Sequence, residues 1–172
     1  TGLAGACNGN FLGIGADMCA ISVLVEATHP NGLLITNGEF TAFQPAKWGY
    51  VGVNATDVPT TVLVTPWYDG GASPLANPPC RSACAVKVSF VNCAFWGWNE
   101  VKVNISTRDP RAVADFKDSG FAEWDIDNND RHCIVATGGS ITVSGCQFRQ
   151  DDPQVYIGQA VMRAVVTGNL YE

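Results

Sequence analysis

The chain has 172 residues, one domain's worth of length and enough to bury a substantial core. Charged residues make up only 15%, well under the roughly 25% usual for soluble domains, while 18 glycines and many Val and Thr point to β structure. A formal net charge of −6 with only 10 scattered Lys and Arg argues against a nucleic-acid backbone as partner, and no apolar stretch approaches the roughly 18 to 20 residues that span a bilayer.

From Thr1 to Asp17 the chain is Gly-rich and nearly uncharged, so strands there are short and broken by turns; Phe11 to Gly15 reads as a first, poorly formed repeat. Ile21 to Glu26 is rich in β-branched residues and is bounded by Thr28-His29-Pro30-Asn31-Gly32, which predicts a strand and then a tight turn. A frame then appears at Leu33 to Phe40: apolar, any, apolar, any, small polar, small, any, aromatic. It returns at Val88 to Phe95, Ala114 to Phe121, Ile141 to Phe148 and Ala164 to Tyr171. The closing aromatics from Phe95 onward are nearly evenly spaced, whereas the interval from Phe40 to Phe95 is close to two of the later ones. That long first interval predicts a degenerate copy between, at Val62 to Trp67. Between Gln44 and Ser82 prolines and glycines cluster, and the stretch at about 66–82 is predicted as a loop-rich excursion from the surface.

Steps of roughly 25 residues mark a solenoid in which each repeat buries its apolar face only against its neighbours. Period-two alternation over four to six residues disfavours helical repeats, and the scarcity of Leu disfavours leucine-rich ones. The seven cysteines form no metal box, because Cys80-Arg-Ser-Ala-Cys84 is followed by no second pair at zinc spacing. Cys93 and Cys146 share one interior slot of the frame and read as packing residues, whereas Cys7 with Cys19 and Cys80 with Cys84 are the better disulfide candidates.

The five frames resemble the right-handed parallel β-helix of the pectin-lyase-like superfamily, over about Ile21 to Glu172. That resemblance implies an all-β solenoid with coils of roughly 23 to roughly 27 residues. It also implies a single domain over 1–172, or a fragment of a longer one. Asn37, Asn92 and Asp118 would then sit at sharp bends and stack on their equivalents. The chain stops inside a repeat at Gly168 to Glu172, so the expectation is either a longer β-helix or ends covered by partner chains, with self-association through uncapped ends.

The superfamily includes polysaccharide lyases and glycoside hydrolases, whose sites lie along an exposed face and use carboxylates or a basic residue. The resemblance therefore implies a secreted, carbohydrate-active protein with a polysaccharide partner and no cofactor. The richest cluster is Glu123-Trp124-Asp125-Ile126-Asp127-Asn128-Asn129-Asp130-Arg131-His132. If it is a strand, Asp125 and Asp127 project on one face as a carboxylate pair, with Glu123 beside them and Arg131 or His132 contacting an anionic group; the alternative is an exposed polar turn. Trp96, Trp98 and Trp124 recur at related positions and would form a sugar-stacking strip, although interior stacking is equally available to them. Asp125, Asp127 and Asn129 alternate as at the start of a calcium loop, but the required Gly and distal Glu are missing, which leaves calcium the weaker reading. Asp151-Asp152 lacks the companion signatures of polygalacturonases, and Arg108-Asp109-Pro110-Arg111 is half of the pectate-lyase motif, with Val113 in place of the further Arg. With every complete catalytic signature missing, a non-catalytic structural, adhesive or glycan-binding module is the alternative to an enzyme.

Overall fold

A computed structural model describes residues 9–19, 21–25, 28–29, 31–42, 60–64, 86–97, 99, 101–106, 112–125 and 127–172. Among them every regular element is a strand and every strand pair is parallel. The strands fall into successive circuits. The first holds β1 (Gly9–Leu12), β2 (Gly15–Cys19) and β3 (Val23–Val25); the second holds β4 (Leu33–Thr36), β5 (Glu39–Ala42) and β6 (Thr60–Val64). The third holds β7 (Lys87–Val91), β8 (Ala94–Trp96) and β9 (Val101–Ile105). Then come β10 (Val113–Lys117), β11 (Gly120–Phe121), β12 (Ile134–Ser144), β13 (Gln147–Phe148), β14 (Val155–Thr167) and β15 (Leu170–Tyr171).

Each circuit pairs with the next in one register. Leu33 lies beside Val88, Val88 beside Ala114, Ala114 beside Ile141 and Ile141 beside Ala164; likewise Phe40, Phe95, Phe121, Phe148 and Tyr171 follow one another in the second sheet. The five sequence frames are thus aligned residue for residue, and β1 pairs with β4 as the poorly formed first copy. A third column runs Val23, Val62, Val103, Ile134, Val155. The long β12 belongs to two columns at once, pairing with β9 through Ile134 to Ala136 and with β10 through Ser140 to Ser144, and a left-handed Gly139 lies between. This shared strand joins the first and third columns into one nine-stranded sheet, and the sheets curl into a half-barrel.

Thr60 to Val64 is a strand, but it does not supply the degenerate copy expected between Phe40 and Phe95. It lies in the third column, and the frame at 33–40 pairs directly with that at 88–95. The long interval from Phe40 to Phe95 therefore separates two neighbouring strands of the second sheet. The excursion at about 66–82 lies outside the described residues.

Alternation sets the core. Val88, Phe90, Ala114, Phe116, Ile141 and Val143 point inward and are buried, while Ser89 and Asp115 between them face out and hydrogen-bond each other at 3.0 Å. Phe40, Phe95, Phe121, Phe148 and Tyr171 form a continuous stack with centroid separations of 5.4, 4.9, 5.1 and 5.6 Å and interplanar angles of 18° or less. Phe90 and Phe116 stack beside it at 5.1 Å and meet it edge-on. Each such contact adds about 0.5–1.5 kcal/mol beyond the area buried.

The corners explain the small polar position of the frame. Gly13, Asn37, Asn92, Asp118, Gly145 and Gly168 all have φ between 50° and 67°, the left-handed region that Gly, Asn and Asp tolerate best. Asn92 Nδ2 donates to Asn37 Oδ1 at 2.8 Å, so the corner side chains stack as expected. Reversal at the corner leaves the next N–H without a backbone partner, and a side chain from the following circuit accepts it. Gly38 N donates to Cys93 Sγ (3.3 Å), Cys93 N to Ser119 Oγ (3.1 Å), the Ser119 backbone to Cys146 Sγ, and Cys146 N to Asn169 Oδ1 (2.9 Å). Cys93 and Cys146 are accordingly free, buried thiols, and burial raises both above the ordinary thiol pKa. Cys19 is also free, so the expected pairing with Cys7 is not made; Cys7, Cys80 and Cys84 lie outside the described residues. The outer edge of the last circuit exposes Met162, Val165, Leu170 and Tyr171.

Candidate functional site

Two residues after each corner the chain turns its side chains alternately out and in. The outward positions of the second sheet are Glu39, Ala94, Gly120 and Gln147 in one row, and Thr41, Trp96, Ala122 and Arg149 in the next. Small residues in the middle circuits and long ones at either end leave a groove of about 610 Å³ across the strands, with the corner residues Asn92 and Asp118 along one side. Glu39 to Gln147 covers three inter-strand steps, about 14 Å at about 4.8 Å each. Its floor is open at Gly120, where a Cβ would meet nothing within 4 Å.

Trp96 forms the aromatic wall and is 41% exposed. Its Nε1 donates to Glu39 Oε1 at 3.1 Å, which fixes the indole while its face remains open. At the far end Arg149 Nη2 donates to Gln147 Oε1 at 3.1 Å. The groove thus combines planar polar groups, one carboxylate near each of two circuits, a guanidinium and an aromatic plate.

Of the residues named from sequence, Trp96 is in this groove; Trp98 lies outside the described residues. The described residues between Ala122 and Cys133 form no strand, so Asp125 and Asp127 do not share a strand face as expected. Glu123, Asp125, Asn128 and Asp130 all adopt positive φ, which destroys the alternation that reading required. Asp125 is buried and caps its own turn: Oδ1 accepts from Asn129 N at 2.9 Å, and its carbonyl accepts from Asn128 N at 2.9 Å. Asp127 and Arg131 are exposed, and His132 packs edge-on against Tyr156 at 5.4 Å. Trp124 is fully buried against Phe148, with Nε1 donating to Pro153 O at 3.1 Å, so it presents no face for stacking on a ligand. None of these side chains is among the groove's described walls.

Glu123 has a different task. Its Oε2 accepts from Gly97 N at 2.8 Å, and its carbonyl accepts from Lys102 Nζ at 3.1 Å. Lys102 is fully buried in β9 and also donates to Gly97 O and, at 2.7 Å, to Asn99 Oδ1. Burial lowers its pKa to about 8. Cys133 is buried and held well above the usual thiol range, so it stays protonated.

Glu39, Gln147 and Arg149 went unrecognised in the sequence, although laying the frames over one another and reading the seventh and ninth positions would have found them. Among the described residues no group of three or more His, Cys, Asp or Glu side chains is arranged to hold a metal ion. No protein-family model, curated protein or solved structure matches the chain.

Proposed function

We propose that the chain is a right-handed parallel β-helix of the pectin-lyase-like kind, secreted, and that the groove on its second sheet binds an extended glycan as a non-catalytic module. The observation that carries this is the Trp96 indole, clamped by Glu39 beside a floor of Ala94 and Gly120. A sugar's C–H face stacks on such a plate, while its hydroxyls pair with planar amide, carboxylate and guanidinium groups. An open groove across parallel strands suits a polymer that enters and leaves at both ends.

A second reading, a glycoside hydrolase or polysaccharide lyase, is favoured by one observation: two carboxylates, Glu39 and Asp118, line the same groove. Of the residues first assigned to it, Asp125 and Glu123 hold backbone N–H groups, while Asp127 and Arg131 are exposed and outside the groove. Glycan-array binding run beside reducing-sugar and unsaturated-uronate assays separates the two. The module reading expects binding without cleavage; cleavage abolished by Glu39→Gln or Asp118→Asn supports the enzyme, and no binding to any glycan rejects both.

A further inference from the structure

Gly97, the residue after Trp96, has both its backbone N–H and its carbonyl held by side chains. Its N–H donates to Glu123 Oε2, and its carbonyl accepts from Lys102 Nζ. With φ at 92°, a value that favours glycine, it turns the chain out of β8 at this point. The peptide that carries the indole is therefore oriented by Glu123, and Glu123 is itself anchored through its carbonyl to Lys102.

The donor count matters. An ammonium has three N–H groups, and Lys102 has three acceptors in place: Gly97 O, Asn99 Oδ1 and Glu123 O. A neutral amine has two, so loss of the proton leaves one of these acceptors without its donor. Among the described residues, the titratable groups facing Lys102 are Glu123 from the segment after β11 and Cys133 from the segment before β12; the thiol stays protonated, so Glu123 is the negative charge among them.

We propose that Lys102 is a positioning residue for the groove: its buried ammonium ties Gly97 to the Glu123 segment, sets the direction of the Trp96 indole, and makes ligand binding sensitive to loss of its proton. The ligand part rests on the glycan-binding reading; the positioning of Trp96 does not. Burial has already brought the Lys102 pKa to about 8, so the change falls at mildly alkaline pH.

The test uses protein labelled with fluorotryptophan, the Trp96 fluorine resonance being identified by its loss in Trp96→Phe. Followed from about pH 6.5 to about pH 9.5, the resonance moves with a midpoint near 8. The midpoint falls in Glu123→Gln, which keeps an acceptor for Gly97 N but removes the charge that favours the ammonium. The movement disappears in Lys102→Met. Affinity for the best array glycan weakens roughly tenfold over the same range, the worth of one charge-assisted hydrogen bond. A Trp96 resonance that is flat with pH, or a midpoint unmoved by Glu123→Gln, overturns the proposal, and the second criterion applies even if Lys102→Met fails to fold. A resonance that titrates as expected in a protein that binds no glycan leaves Lys102 in its role and removes the glycan reading alone.

Discussion

The backbone N–H of Cys93 donates to Ser119 Oγ, 3.1 Å away in the next circuit. This bond replaces the sheet bond that the left-handed Asn92 makes geometrically unavailable, and the same slot is filled in turn by Cys146 and Asn169. Ser119→Ala leaves a buried N–H unpaired and should cost about 1–3 kcal/mol in urea unfolding. Ser119→Cys should cost less than about 1 kcal/mol, since sulfur already accepts the same bond from Gly38. Equal losses in the two variants would show that volume, not the acceptor, matters there.

At the corner, Asn92 combines φ of 52° with an amide that donates to Asn37. Asn92→Val should destabilise by more than about 2 kcal/mol, because a β-branched residue adds left-handed strain to the lost bond; Asn92→Gly should lose only the bond, about 1 kcal/mol. Thermal unfolding distinguishes these outcomes.

Phe121 is stacked between Phe95 at 4.9 Å and Phe148 at 5.1 Å and is fully buried. Phe121→Ala should cost about 3–5 kcal/mol and Phe121→Leu much less, as read from denaturant midpoints.

Lys102 makes a signed prediction about stability. Its folded pKa is about 8 against an ordinary 10.5, so between those values the unfolded chain binds more protons than the folded one. Stability from this group therefore rises with pH through that window and is lowest below it. Urea unfolding at the two ends of the window should show this rise in the wild type and its loss in Lys102→Met; parallel pH profiles would contradict it.

The circuits were legible because three signals coincide in each frame: alternation, a residue tolerant of left-handed φ, and a closing aromatic. Where one was missing, placement failed. Thr60 to Val64 has the β-branched run without a corner, and such a run fits any column equally well. Around Asp125 the inference failed for a different reason. Period-two reasoning holds only in a strand, and four positive-φ residues between Glu123 and Asp130 send Asp125 inward to cap its turn and leave Trp124 buried. The buried Lys102 gave no local sign, since its acceptors, Gly97, Asn99 and Glu123, come from two separate segments.

The most direct test of the groove is Gly120→Val. The site has open space for a side chain and an ordinary strand backbone, so the change should leave the unfolding midpoint within about 0.5 kcal/mol of wild type while filling the floor beside Trp96. Calorimetric titration with the best array glycan should show binding to wild type and a loss of at least roughly tenfold in Gly120→Val. A Gly120→Val protein that folds normally and binds that glycan with unchanged affinity would contradict a glycan in this groove.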